Sequence, residues 1–273
     1  MLDNQKYLSD FEAKKMICEI GRRVYAKGFV AANDGNISVK TGTNAIWATP
    51  TGVSKGYMTP DMLVKVDLSG KVLAGKLKPS SEIKMHLRVY KENPNVNAVV
   101  HAHPQAATAF AIAGIGLDQA YSPEGVILLG NVPVAPYATP STQEVPDSIA
   151  PYCKDYNAVL LANHGALTWG RDITEAYFRM ESLEHYAMTV ILTKKITDQV
   201  QELTCDQLTE LIKIREKMGI KTGGTLSCRT GSQGKAAPQA PRQGVAEADK
   251  QELIQTIVAK VTEEVMRRLP LDH

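Results

Sequence analysis

The feature that most constrains the fold is Asn97-Ala98-Val99-Val100-His101-Ala102-His103-Pro104, an apolar run that ends in two histidines. Side chains of a β-strand alternate between faces, so His101 and His103 project the same way and can address one metal ion. Ala102, between them, keeps the opposite face small enough to pack. A third histidine closes a comparable run, Ala158-Val159-Leu160-Leu161-Ala162-Asn163-His164-Gly165, where a strand gives way to a turn. Three neutral imidazoles and an open fourth position are the ligand set of a catalytic zinc site. A His-x-His pair alone is more often packed or solvated than ligated. The third strand-end histidine and the acidic and phosphate-type motifs around it are what favour metal. His86, four residues after Glu82 on a predicted helix, reads better as a packed or capping neighbour than as a ligand. His185 and His273 read as structural or solvent-exposed.

With 273 residues, 44% of them hydrophobic, the chain has ample material for a core. A net charge of +2, without basic clusters interleaved by aromatics, gives no field for nucleic acid and points to a small-molecule partner. Cys18, Cys153, Cys205 and Cys228 are dispersed, so neither a disulfide framework nor a thiolate zinc site is expected, and a reducing, cytoplasmic compartment is favoured. The N-terminus carries Asp3, Lys6, Asp10 and Glu12 rather than a basic segment before an apolar block. No apolar run approaches spanning length, so neither export nor membrane insertion is expected.

Along the chain, Ser9-Asp10-Phe11-Glu12 has capping-box form, and Phe11, Met16, Ile17, Ile20 and Val24 predict a helix over residues 10 to 27, ended by Gly28. Asn33-Asp34-Gly35-Asn36 is a turn feeding a strand, and Ala45 to Thr49 is a strand leading into Pro50-Thr51-Gly52. Glycines beside Asn, Ser and Thr expose N–H groups and hydroxyls that can hold phosphate oxygens, although each alone is an ordinary turn. Residues 62 to 67 read as a strand and Asp67 to Lys71 as a hairpin turn into Val72-Leu73. Ser80 or Ser81 caps a helix running to about Tyr90, whose N-terminus favours an anion. Glu82 falls in its first turn, where dipole compensation worth about 0.3–1 kcal/mol is role enough unless a metal lies close by.

Gln105 to Ala113 reads as a small-residue helix, Val126 to Leu129 and Val132 to Ala135 as short buried strands, and Pro136 to Pro140 as a loop. Asp172-Ile173-Thr174-Glu175 opens a long helix with Ala176, Met180, Leu183, Ala187 and Val190 or Ile191 inward and Lys194 and Lys195 in its last turn. A further helix with Leu208, Leu211 and Ile212 apolar continues to about Met218. Residues 1 to 220 thus read as a catalytic domain. Residues 221 to 249, rich in Gly, Ser, Gln, Pro and Ala, read as a flexible linker, and residues 250 to 273 carry an amphipathic helix. That helix is too short and charged to span a bilayer, and its apolar stripe suits docking on a partner.

A zinc ion on three imidazoles, a phosphate cradle and a carboxylate suit chemistry beside the carbonyl of a sugar phosphate. The set Gly35-Asn36-x-Ser38, Thr49-Pro50-Thr51-Gly52, Pro79-Ser80-Ser81-Glu82, His101-x-His103, Ala135-Pro136-Tyr137-Ala138-Thr139 and Asn163-His164-Gly165 resembles the zinc-dependent class II aldolase and adducin family over about residues 8 to 219. The likeness is greatest to its branch acting on L-fuculose 1-phosphate. The resemblance implies a three-layer α/β/α fold with a mostly antiparallel central sheet, assembled as a cyclic homotetramer with sites at subunit interfaces. It carries Zn2+ to His101, His103 and His164, and makes Glu82 the acid/base, which in the family also ligates the resting metal. It carries phosphate binding to Gly35, Asn36, Thr51, Gly52, Ser80 and Ser81. The implied reaction is reversible cleavage of L-fuculose 1-phosphate, or a related ketose such as L-rhamnulose 1-phosphate, to dihydroxyacetone phosphate and L-lactaldehyde. A catalytic tyrosine lent by a neighbouring subunit corresponds to Tyr121, about one residue out of register, and a second tyrosine is replaced by Met218. The C-terminal appendage resembles encapsulation peptides that bind shell proteins and carry enzymes into the lumen of bacterial microcompartments. Of the alternatives on this scaffold, 4-epimerases carry Asp in place of Glu82, whereas a methylthioribulose-phosphate dehydratase is not separated by that residue. A non-catalytic adducin-like assembly role is disfavoured by the intact histidines and Glu82.

Overall fold

A computed structural model describes residues 7–224, 226 and 228. Its centre is a sheet of β1 (Asn36–Gly42), β2 (Ala45–Ala48), β3 (Val64–Val66), β4 (Val72–Ala74), β5 (Ala98–Ala102), β6 (Val134–Ala135), β7 (Ala158–Leu161) and β8 (Gly165–Gly170), in the order β4-β3-β2-β1-β5-β8-β7-β6. Neighbours are antiparallel except β6 and β7, which run parallel. Helices α1 (Asp10–Ala26), α3 (Gln105–Ala113) and α5 (Ile173–Ile196) cover one face, and α2 (Ile83–Glu92) and α4 (Glu144–Ile149) the other. This is the three-layer α/β/α architecture with a mostly antiparallel sheet that the resemblance implied. Helix α6 (Cys205–Lys217) packs its Leu208 with Ala120 and Val126.

The alternation of β5 decides which way the histidines face. Ala98, Val100 and Ala102 enter the core under α1, α3 and α5, and Val99 enters the one under α2 and α4. His101 therefore shares the α2 side with Val99. Every residue of β5 is buried, because helices lie on both faces, and so the strand reads as an unbroken apolar run.

The first helix has the expected capping box: Ser9 Oγ accepts from Glu12 N–H at 3.2 Å, and Glu12 Oε2 accepts from Ser9 N–H at 3.0 Å. Phe11, expected inward, is 74% exposed. Ala13, Ile17, Ile20 and Val24 form the buried stripe, and a residue two before Ala13 lies almost opposite it on a 3.6-residue helix. Three other expectations are corrected, and two elements appear that the sequence reading did not mark. Val126 to Leu129 is a helical turn, Gly125–Leu129, rather than a strand, since a short apolar run carries no period that separates the two. Gly165–Gly170, not anticipated as a strand, forms a buried hairpin with β7, and α4 was likewise unmarked in the sequence. Helix α2 begins at Ile83, with Glu82 at its N-cap rather than in its first turn. Finally, Cys205 and Cys228, expected unpaired, form a disulfide with Cα atoms 5.3 Å apart. Dispersed spacing cannot reveal that the chain after α6 folds back on the helix's start.

That return is held by hydrogen bonds to its backbone: Thr222 O accepts from the Asn157 side-chain Nδ2 at 3.1 Å, and Gly223 and Gly224 N–H donate to Asp155 O at 2.7 and 2.8 Å. Leu226 is buried with Leu208. The amphipathic segment over residues 250 to 269 lies outside the described residues.

Leu160, on β7, is fully buried in the core beneath α3 and α5. Leu160→Ala should lower stability by about 2–5 kcal/mol in urea titration, as buried leucine truncations do. A loss below about 1 kcal/mol would mean that this strand is not enclosed as described.

Candidate metal centre

Strands β5 and β8 pair with His101 opposite Leu167 and Ala102 opposite Ala166. The β7–β8 turn, Ala162 to His164, therefore lies against the end of β5, where His103 N–H donates to Phe29 O at 2.8 Å and leaves the sheet. Asn163 adopts φ 57°, a left-handed conformation that asparagine tolerates, and this turns the chain at His164. A Cβ on Gly165 would lie 2.5 Å from His103 Cδ2 and 2.7 Å from Ala102 O, so only glycine lets the turn approach so closely.

The three imidazoles form a triangle with ring centroids 4.9, 4.8 and 5.0 Å apart, and one nitrogen from each lies within 4.8 Å of the others. His101 Nδ1–H donates to Ala166 O at 2.9 Å, which fixes the tautomer and leaves Nε2 free to ligate. His103 Nε2 lies 3.1 Å from His101 Nε2. Burial, followed by the neighbouring His103 and His164, pushes His101 well below the ordinary imidazole range. Burial also lowers His164, against an opposing pull from Glu82. Neutral imidazole is the form that binds metal.

Glu82 closes the group. Its Oε1 is 3.3 Å from His164 Nε2 and its Oε2 is 3.4 Å from His101 Nε2. Asn36 Nδ2, across the β1–β5 register from His101, donates to Oε2 at 2.9 Å. Oε1 is buried with no hydrogen-bond partner among the described residues. A buried carboxylate oxygen without a donor is costly, and here it faces imidazole nitrogens. A divalent metal ion would satisfy this carboxylate and the nitrogen lone pairs together. The donor set, three imidazoles with an adjacent carboxylate, fits such an ion.

Asp34 Oδ2 lies 3.6 Å from His103 Nδ1. His86 sits behind the centre as a packed neighbour: its Nδ1 is 2.7 Å from Ser38 Oγ, which is 2.8 Å from Tyr90 Oη. Burial pushes His86 down to about 3, so the ring is neutral at pH 7.

The segments expected to hold phosphate meet beside Glu82. Gly35 has φ +73°, and a Cβ there would lie 2.6 Å from Val30 Cγ1 and 2.8 Å from His101 O, so this turn presses on the end of β5. Thr51 N–H donates to Lys78 O at 3.0 Å, and Ser80 N–H donates to Thr49 O at 3.1 Å, tying the two loops together. Ser80 Oγ accepts from Glu82 N–H at 3.3 Å. Thr51, Gly52 and Ser81 are exposed at the rim. One residue that the sequence did not single out is Lys55, whose buried Nζ donates to Asn33 O and Val53 O, both at 2.7 Å. A lysine beside a glycine in a polar loop reads as solvated, and nothing in its spacing says otherwise.

Tyr121 stands in a different neighbourhood. Its N–H donates to Tyr186 Oη at 3.4 Å, near a cavity of about 710 Å³ lined by Lys27, Phe29, Ser122, Glu184, His185 and Tyr186. Met218 caps the C-terminus of α6 and is 54% exposed.

Replacing His101, His103 or His164 singly by alanine should strip the bound divalent metal, measured by plasma mass spectrometry after gel filtration. A variant that keeps a full complement of metal would remove its histidine from the set.

The chain matches the Class II Aldolase and Adducin N-terminal domain over residues 15–191. It is 36% identical over 169 residues to an L-fuculose phosphate aldolase of Methanococcus maripaludis, covering 62% of this chain and 91% of that one. It is 32% identical over 207 residues to a 3-oxo-tetronate 4-phosphate decarboxylase of Pectobacterium atrosepticum, covering 74% and 94%. Its fold superposes on the structure of an L-fuculose 1-phosphate aldolase with a TM-score of 0.71 and 27% identity, covering 79% of this chain and 100% of the other. On these matches, and on a histidine group suited to the metal such enzymes require, the chain belongs to the class II aldolase and adducin family.

Proposed function

We propose that this protein is a zinc-dependent aldolase that cleaves L-fuculose 1-phosphate, or a closely related ketose 1-phosphate such as L-rhamnulose 1-phosphate, to dihydroxyacetone phosphate and L-lactaldehyde. The observation that carries this reading is the Glu82 carboxylate, 3.3 Å from His164 and 3.4 Å from His101 and anchored by Asn36. Zinc held by His101, His103 and His164 would supply stabilisation of the negative charge that develops on the substrate's ketone oxygen. Cleavage breaks the bond between C3 and C4, and its electron pair stays on C3. The Glu82 carboxylate takes up the proton that the C4 hydroxyl loses as C4 becomes the aldehyde, and returns a proton to C3, completing dihydroxyacetone phosphate. Gly35, Asn36, Thr51, Gly52, Ser80 and Ser81 would grip the phosphate, and the hydrogen bonds joining their loops support a preformed cradle. Such a grip orients C3 against Glu82.

A second reading is favoured by the decarboxylase relative, which aligns with 74% of this chain. Loss of carbon dioxide from a 3-oxo acid phosphate leaves an electron pair beside a ketone in the same way, and Glu82 would protonate that carbon too. Incubation with L-fuculose 1-phosphate, L-rhamnulose 1-phosphate and 3-oxo-tetronate 4-phosphate separates the two. Decarboxylation of the third substrate also leaves dihydroxyacetone phosphate, so it is chelator-sensitive release of this product from either ketose 1-phosphate that supports the aldolase, and turnover of the third substrate alone, with carbon dioxide, would replace it with the decarboxylase. Glu82→Gln should retain metal while turnover falls by about 10²–10⁴-fold, the usual worth of a general acid/base. Near-normal rates would take Glu82 out of the mechanism.

The same reading includes a homotetramer in which Tyr121 serves a neighbour's site. Phe178, Met188, Leu192 and Ile196, exposed apolar residues on α5, support a subunit contact there. It also includes docking of residues 250 to 269 on a shell protein in a microcompartment lumen. Truncation should begin after the segment held by Asn157 and Asp155. Deleting residues 233 to 273 should leave activity and metal content unchanged and abolish co-assembly with shell proteins, whereas a truncated protein that still co-assembles would exclude this role.

A further inference from the structure

Lys55 opens a short 3₁₀ turn, Lys55–Tyr57, that packs tightly on α1. A Cβ on Gly21 would lie 2.6 Å from Lys55 O, and one on Gly56 would lie 2.6 Å from the Tyr25 ring. This close seat fixes the backbone and turns the lysine side chain inward, leaving the residue 1% exposed. Its Nζ–H groups donate to Asn33 O and Val53 O at 2.7 Å each. The two carbonyls belong to different segments: Asn33 precedes Gly35 and Asn36, and Val53 follows Thr51 and Gly52.

Two neutral carbonyls satisfy two of the ammonium's three donors and none of its charge. Asp34 and Glu82 act on it electrostatically, but neither forms an ion pair with it among the described residues. Burial lowers this ammonium and the opposing pull of Asp34 and Glu82 leaves it at about 8, so it carries its charge at pH 7. A buried cation costs stability unless an anion offsets it, and a neutral glutamine could join the same two carbonyls at lower cost.

Building on the phosphate reading above, we propose that Lys55 is a positioning residue for the substrate's phosphate. Its buried ammonium clamps the Asn33–Asn36 turn to the Thr51–Val53 loop and supplies from beneath the positive charge that a bound phosphate dianion neutralises. Neither role requires it to touch the reacting carbons.

The test uses inorganic phosphate as probe, with full-length, metal-loaded protein and titration calorimetry. Lys55→Met and Lys55→Gln should load metal like the wild type but bind phosphate roughly tenfold more weakly or worse. KM for the phosphorylated substrate should rise with kcat nearly unchanged, as for lost uniform binding. Wild-type phosphate affinity in Lys55→Gln would overturn the proposal, because the clamp would then work without charge. Should the variants fail to fold, ¹⁵N-lysine-labelled wild type decides: the solvent-protected ammonium resonance shifts on adding phosphate, and one that stays put overturns the proposal. Wild type that binds no phosphate would sink the cradle reading as well, whereas equal binding by wild type and variants would sink only the assignment of Lys55.

Discussion

Everything at this centre depends on the antiparallel register between β5 and β8. That pairing sets Ala102 opposite Ala166 and carries the β7–β8 turn up to the strand end that bears His101 and His103. The approach is so close that Gly165 has no space for a side chain, and Ala166 O becomes the acceptor that orients His101. A slip of one residue would send His101 to the opposite face of the sheet, under α1, α3 and α5. Register, tautomer and ligand geometry are thus a single constraint.

Around that constraint the electrostatics are unbalanced in a way that suits a cation. His101 and His164, both lowered chiefly by burial, share a small volume with His103 and with a carboxylate whose Oε1 lacks a donor among the described residues. Asn36 restrains the carboxylate from the next strand, and Ser80 caps the backbone beneath it. From the N-cap of α2 the Glu82 carboxylate lies 3.4 Å from His101 and 3.3 Å from His164.

The family relationship and the geometry meet at the level of chemistry rather than of substrate. Aldolase and decarboxylase relatives both align with most of the chain, and both reactions leave an electron pair next to a carbonyl. The centre offers what those reactions share, a metal-ready imidazole triangle and a poised carboxylate. Under the proposed function, discrimination among substrates is assigned to the groups around it, among them Thr51, Gly52 and Ser81, which are exposed, and Tyr121 and Met218.

Much of this was legible in the residues themselves. The strand carrying His101, the capping box of α1, helix α3 and the buried stripe of α5 follow from local periodicity and side-chain chemistry, which a linear chain displays directly. The three histidines could be named because each ends an apolar run. Only the tertiary structure decided that Gly165–Gly170 is a strand, that Gly125–Leu129 is helical, that Cys205 meets Cys228, and that Lys55 is buried beneath two loops. Each of these depends on what packs against the segment from elsewhere in the chain, and short-range pattern carries no record of that.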